Sequence, residues 1–299
     1  MRSLLFRLQH RYAPYLFVAP FVVLFLVFTL YPLVKSIQLS FYITNGPKSQ
    51  IFVGLENFRF LYGDPAFHQA VWNTCIYACG SVFLQLPLSL GLALLLNSNM
   101  VRWRDFFRFT FFSPHLVGQV FVAVLFSVIF IPKFGLLNRV LHSLFDVAID
   151  TKWLGNPDLV MPALILTSLW MYVGFNMIYF LAALQGVDRS LYEAAQVDGA
   201  GPFKQFLHVT LPGIRGVAVF VAVLSTIGSF QLFELPYVML NNTAGPDNSG
   251  LTVVMYLYQN GFVAGDLGYA SAIGWTLTFA VLVISLVQMR LSGTWKTED

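Results

Sequence analysis

QGVDRSLYEAAQVDGAGPFKQFLHVTLP, residues 185–212, is a polar island between two long apolar runs, 160–184 and 214–239. Ser190 followed three residues later by Glu193 reads as a capping box that opens a short helix. Gly199 is placed to stop that helix, because glycine takes the left-handed C-terminal position at little cost. Pro202 then holds the favoured first position of a second helix, with Phe203, Phe206 and Leu207 on one face, up to Pro212. The product is two short helices joined by a sharp glycine bend. Two readings fit this spacing. One is a rigid knob whose aromatic face enters a groove on another protein; the other is a self-capped segment whose phenylalanines rest on a bilayer interface.

Both flanking runs reach the roughly 20 apolar residues needed to cross about 30 Å of hydrocarbon. Four more do so, at 15–34, 71–96, 109–131 and 268–289. Of 299 residues, 57% are hydrophobic and only 10% charged, with a mean hydropathy of +0.70, too few polar side chains to coat a soluble globule of this size. The sequence therefore predicts an all-α polytopic membrane protein with six transmembrane helices. The connections are too short for a separate soluble domain, so residues 1–299 are expected to form a single transmembrane domain with a cytoplasmic loop at 188–212. Arg2, Arg7 and Arg11 precede the first run, which lacks a small-residue cleavage site and reads as a retained helix. Pro87 and Pro114 fall inside predicted spans, as kinks lining a cavity or as packed residues without that role.

Orientation follows from the cations. With both termini cytoplasmic, eleven of the 17 Lys and Arg residues fall on inner segments and six on outer ones, the positive-inside bias of a multi-pass protein of the cell (cytoplasmic or inner) membrane. The net charge of +3 is dispersed and makes no nucleic-acid surface. Cys75 and Cys79 sit in an apolar segment as small hydrophobes, and the five histidines lack ligand spacing, so no metal or cofactor is expected. No phosphate loop, nucleophile elbow or paired intramembrane carboxylates emerge, so the chain does not read as an enzyme. An ion-driven secondary transporter is the competing class, and it calls for an acidic or histidine relay within the spans. Glu234 and His115 are the intramembrane candidates, and they do not make one.

Glu193-Ala194-Ala195, then Asp198-Gly199-Ala200, then Leu211-Pro212 resembles the EAA loop of binding-protein-dependent ABC importer permeases. Order and spacing agree over the loop, and two spans follow it, as in that family. Val209 departs, where the family more often has isoleucine. Gly54-Leu55-Glu56-Asn57-Phe58, Trp72-Asn73-Thr74, Gly135-Leu136-Leu137-Asn138 and Phe230 to Val238 before Ala244-Gly245-Pro246 are similar to signatures of the maltose-type, carbohydrate-importing branch. Asn241-Asn242-Thr243-Ala244-Gly245 replaces the usual run of glycines in an outer loop. The resemblance implies a type I ABC importer permease fold and a sugar or oligosaccharide cargo moved by alternating access. It also implies separate ATPase subunits that hydrolyse the ATP, a second homologous permease and an extracytoplasmic substrate-binding protein as partners. Glu193, Ala194, Ala195, Asp198, Gly199, Phe203, Phe206 and Leu207 would then couple to the ATPase, with Glu193 facing one of its basic residues.

Counting depth at about 1.5 Å per residue places Ser225, Thr226 and Ser229 of the fifth run near the midplane and Glu234 near the outer boundary, as a possible outer gate. Trp170 and Tyr172 lie mid-depth in the fourth run. Sugars bind through aromatic faces and through hydroxyl and amide hydrogen bonds, so Trp170, Tyr172, Ser225, Ser229 and Gln231 are the substrate-pathway candidates. The deep parts of these two runs hold no Lys or Arg, which favours a neutral sugar over glycerol phosphate or another anion.

Overall fold

The computed structural model describes residues 2–46, 49–98, 101–146 and 148–293; Lys48 and Lys296, counted above among the cations, lie outside the described residues. In chain order the elements are α1 (Arg2–Phe25), α2 (Tyr31–Leu39), strands β1 (Tyr42–Thr44) and β2 (Gln50–Phe52), α3 (Glu56–Gly63), α4 (Pro65–Asn97), α5 (Arg104–Leu116), α6 (Gln119–Ile129) and α7 (Leu136–Phe145). There follow α8 (Pro157–Gln185), α9 (Arg189–Val197), α10 (Pro202–Gln205), α11 (Leu211–Gly213), α12 (Arg215–Phe230), α13 (Glu234–Met239), α14 (Val253–Tyr258) and α15 (Leu267–Leu291). Among the described residues, four helical stretches are long and apolar enough to span a membrane: Tyr15–Leu39, Pro65–Asn97, Pro157–Gln185 and Leu267–Leu291. The bent pairs α5–α6 and α10 to α12 raise the number to six if each pair is one span.

Two of the expected runs are therefore not single helices. The run expected at 109–131 is broken between Leu116 and Gln119 and bends by 99°. Pro114 has no N–H for the carbonyl of Thr110, and Ser113 Oγ takes that carbonyl instead at 3.0 Å. The run expected at 214–239 stops at Phe230 and restarts at Glu234. Here Pro236 has no N–H for the carbonyl of Leu232, and Thr252 Oγ1 donates to it at 2.8 Å. A side-chain hydroxyl thus satisfies a backbone group that an apolar surrounding would otherwise leave unpaired. Pro32 and Pro212 are accommodated differently: each follows a π turn, Leu26–Leu30 and Phe206–Thr210, and the helix runs on through it.

Backbone packing divides the chain into two compact units. In the first, Met1–Gly63 with Leu257–Thr276, β1 and β2 pair antiparallel with Tyr42 opposite Phe52. Asn57 Nδ2 donates to the carbonyls of Ser40 and Tyr42, both at 2.9 Å, and Asp266 Oδ1 accepts from the N–H groups of Thr44 and Tyr269. Between Tyr15 and Val34 most apolar side chains are exposed, as they are on a helix facing lipid.

The second unit, Asp64–Tyr256 with Leu277–Asp299, is built on α4 and α8. Both helices start alike: Asp64 and Asn156 cap them, accepting from Ala66 N–H at 2.9 Å and Asp158 N–H at 3.1 Å, and a proline fills the first position. Small and hydroxyl residues let the two helices approach, with Ser89 Oγ reaching the carbonyl of Val173 at 2.8 Å. Gly174 lets α5 cross α8, since a Cβ there would fall on the Phe111 carbonyl. Asn73, 7% exposed, donates from Nδ2 to the carbonyls of Asn248 and Leu251 at 2.8 and 3.0 Å. Asn73→Ala would leave both carbonyls short of a partner, at an expected cost of about 2 kcal/mol. Asn73→Asp, which brings no donor at neutral pH, should destabilise at least as much; thermal unfolding of the detergent-purified protein measures both.

Candidate functional site

A cavity of about 410 Å³ opens between α4, α6, α8, α12 and α13 in the second unit. Tyr172 and Asn176 of α8 face it together because residues four apart share a helix face, and so do Ser225 and Ser229 of α12. Asn176 Nδ2 donates to Ser225 Oγ at 3.2 Å, and Ser229 Oγ lies 3.0 Å from Ser81 Oγ of α4. Gln119, one residue past the α5–α6 break, donates from Nε2 to Tyr172 Oη. Gln85 and Tyr77 of α4 add to the polar lining, with the ring of Phe175 among the other lining residues. Gln85 is only 5% exposed and has no side-chain hydrogen bond among the described residues, so its amide is left to the cavity.

Tyr172, Ser225, Ser229, Gln231 and Glu234 all line this one cavity. Glu234 does so, rather than standing well beyond the serines, because the chain leaves the helix at Gln231–Phe233 and the count of 1.5 Å per residue no longer holds. Trp170 is not part of the lining: it is 43% exposed and turns its ring to Phe126, with centroids 5.4 Å apart. It sits two residues from Tyr172, about 200° around the helix. Thr226 bonds to Gln288 Nε2 at 2.9 Å and also lies outside the lining. His115 stacks on Phe175 at 4.0 Å. Gln85, Gln119 and Asn176 were missed by the sequence reading; an amide within an otherwise apolar run was the available signal.

The loop 188–212 is two helices and a glycine bend, with one correction. Asp188, not Ser190, caps α9: its Oδ1 accepts from Ser190 N–H at 2.9 Å, a bond that also lowers the Asp188 pKa below the usual aspartate value. Glu193 is thereby free of any capping duty and pairs with Arg189 at 3.4 Å, both exposed. Asp198 ends the helix and Gly199 turns left-handed with φ 74°, while Ala200 N–H reaches back to the Ala195 carbonyl at 2.9 Å. Pro202 opens α10 as expected, but the helix continues past Pro212 to Gly213 before the chain bends by 69° into α12. Tyr192 Oη and Thr210 Oγ1, 2.9 Å apart, tie the two helices together. Ala194, Phe203 and Leu207 are exposed, whereas Ala195 and Phe206 are half-buried. Leu191 and Val197 enlarge the apolar surface beyond the residues the sequence singled out, Val197 being 89% exposed.

Residues 85–293 match the family model described as "Binding-protein-dependent transport system inner membrane component". The chain is 42% identical to the arabinooligosaccharides transport system permease protein of Bacillus subtilis (strain 168), over 96% of this chain and 90% of that protein. It is 36% identical to the lactose transport system permease protein of Rhizobium radiobacter, over 92% of each. It also superposes on a chain of the crystal structure of a bacterial ABC transporter involved in the import of the acidic polysaccharide alginate, with a TM-score of 0.84, 25% identity and coverage of 98% and 99% of the two chains. The chain belongs to the binding-protein-dependent transport system inner membrane component family and is a multi-pass permease subunit of an ATP-binding-cassette importer.

Proposed function

We propose that the chain carries a sugar or oligosaccharide across the inner membrane by alternating access, with the cavity as its share of the substrate pathway. The observation that carries this is the lining: about 410 Å³ walled by amides, hydroxyls, aromatic rings, leucines and the Glu234 carboxylate, with no Lys or Arg among them. That volume falls in the roughly 300–1,000 Å³ range of small-molecule sites. The sugars named for the Bacillus and Rhizobium relatives support the same cargo class. Residues 1–299 act as one permease domain, and the loop 188–212 seats in a separate ATPase subunit through Ala194, Ala195, Phe203, Phe206 and Leu207. Asp198 and Gly199 shape the bend, and Glu193 exchanges Arg189 for a basic residue of that subunit. A second homologous permease completes the pathway, and an extracytoplasmic binding protein delivers the sugar to it.

Gln85→Leu and Asn176→Leu test the pathway. Each removes an amide and keeps an apolar side chain, so uptake of labelled oligosaccharide into cells should fall about tenfold, the worth of one buried hydrogen bond to a hydroxyl. Uptake unchanged in both variants, at equal membrane abundance, would remove the cavity from the pathway.

A further inference from the structure

The cavity holds one carboxylate, and no positive side chain in its lining balances it. Glu234 stands in the first turn of α13 with its side chain exposed, and among the described residues it makes no ion pair or side-chain hydrogen bond. The other polar groups in the lining are neutral, the amides of Gln85, Gln119, Asn176 and Gln231 and the hydroxyls of two tyrosines and two serines. They exchange hydrogen bonds with hydroxyl groups but carry no net charge to compensate an anion. A hydroxyl-rich ligand gains from a free carboxylate, which accepts short charge-assisted bonds from its O–H groups. A carboxylated or phosphorylated ligand meets like charge in a space with few compensating groups.

We infer that Glu234 is a specificity-determining residue, a charge filter that makes the cavity admit uncharged sugars and turn away anionic ones. The inference rests on the sugar-pathway reading and adds the substrate class to it. Discrimination is thereby a property of this chain's own wall, exerted by repulsion as well as by fit.

The test uses the importer complex as it copurifies from its membrane, without the binding protein, so that selection upstream does not mask the effect. A panel of neutral disaccharides, each paired with its uronic acid counterpart, is titrated by ligand-observed NMR. The wild-type complex should prefer the neutral member of the pair by about tenfold or more. Glu234→Gln should shrink that ratio by about tenfold, Glu234→Asp should keep it, and added salt should narrow it in the wild type and in Glu234→Asp but not in Glu234→Gln. A ratio that stays the same in Glu234→Gln overturns the inference while leaving the sugar pathway standing. If no neutral disaccharide binds the wild-type complex, and Gln85→Leu leaves cellular uptake intact, the pathway reading itself fails and the inference falls with it.

Discussion

Gly174→Leu is expected to abolish uptake and to remove most of the folded protein from a detergent extract. A Cβ at this position would fall on the Phe111 carbonyl and lie 2.9 Å from Phe112 N, all backbone atoms of α5. No rotamer change relieves a clash with backbone, so α5 must move away from α8. Overpacking a filled interior costs about 1–3 kcal/mol even where side chains adjust, and here the whole crossing has to open. The displacement also reaches the site, because His115 at the end of α5 stacks on Phe175 in the cavity wall. Gly174→Ala should show the same defect in weaker form. Gly216→Ala is the control: a Cβ at Gly216 in α12 meets nothing within 4 Å. Alanine there should be neutral or stabilise by up to about 1 kcal/mol through helix propensity. Size-exclusion profiles and unfolding temperatures separate the three variants.

Gly199→Val is expected to leave the protein folded and to uncouple it. Nothing lies within 4 Å of a Cβ at Gly199, so bulk is accommodated, but φ of 74° is a left-handed conformation that a β-branched residue adopts only under strain. The strain, about 1–2 kcal/mol, falls on the bend that sets α9 against α10. ATP hydrolysis stimulated by substrate should drop about tenfold, with membrane abundance near that of the wild type. Gly199→Asn, which tolerates left-handed φ, should retain most of the stimulation. Equal activity in both variants would show that the bend is not the mechanical link. Glu193→Lys approaches the same interface by charge: it breaks an exposed pair worth little to stability, so a loss of copurifying ATPase would report docking and not folding.

Much of the frame was legible because hydropathy is a local property. The runs 71–96, 160–184 and 268–289 correspond to Pro65–Asn97, Pro157–Gln185 and Leu267–Leu291, extended by caps and polar ends that carry no apolar signal. Pro114 pointed to the break in the third span, but the break in the fifth was not legible, since a proline in a sequence does not say which group will take the carbonyl it strands. Thr252, which serves Leu232, lies 20 residues further along the chain. Depth and side-chain chemistry select the pathway residues without regard to helix face, so Trp170 stands beside Tyr172 although the helix turns them to different sides. The amides of Gln85 and Gln119 lie outside the two spans in which a pathway was sought. Asn57, Asn73 and Asn138 belong to the stretches that resemble the family's signatures. The structure gives them a shared physical task, the side-chain amide of each donating to backbone carbonyls of neighbouring loops.

The interruption of the fifth span also bears on how such a protein diverges. Gln231 terminates α12 and Glu234 belongs to the first turn of α13, so both cavity residues stand at helix ends and not within a helix interior. A change of side chain at either position alters what the cavity offers a ligand while breaking no i to i−4 bond. Ligand preference is therefore free to drift by single substitutions, with the scaffold inherited intact.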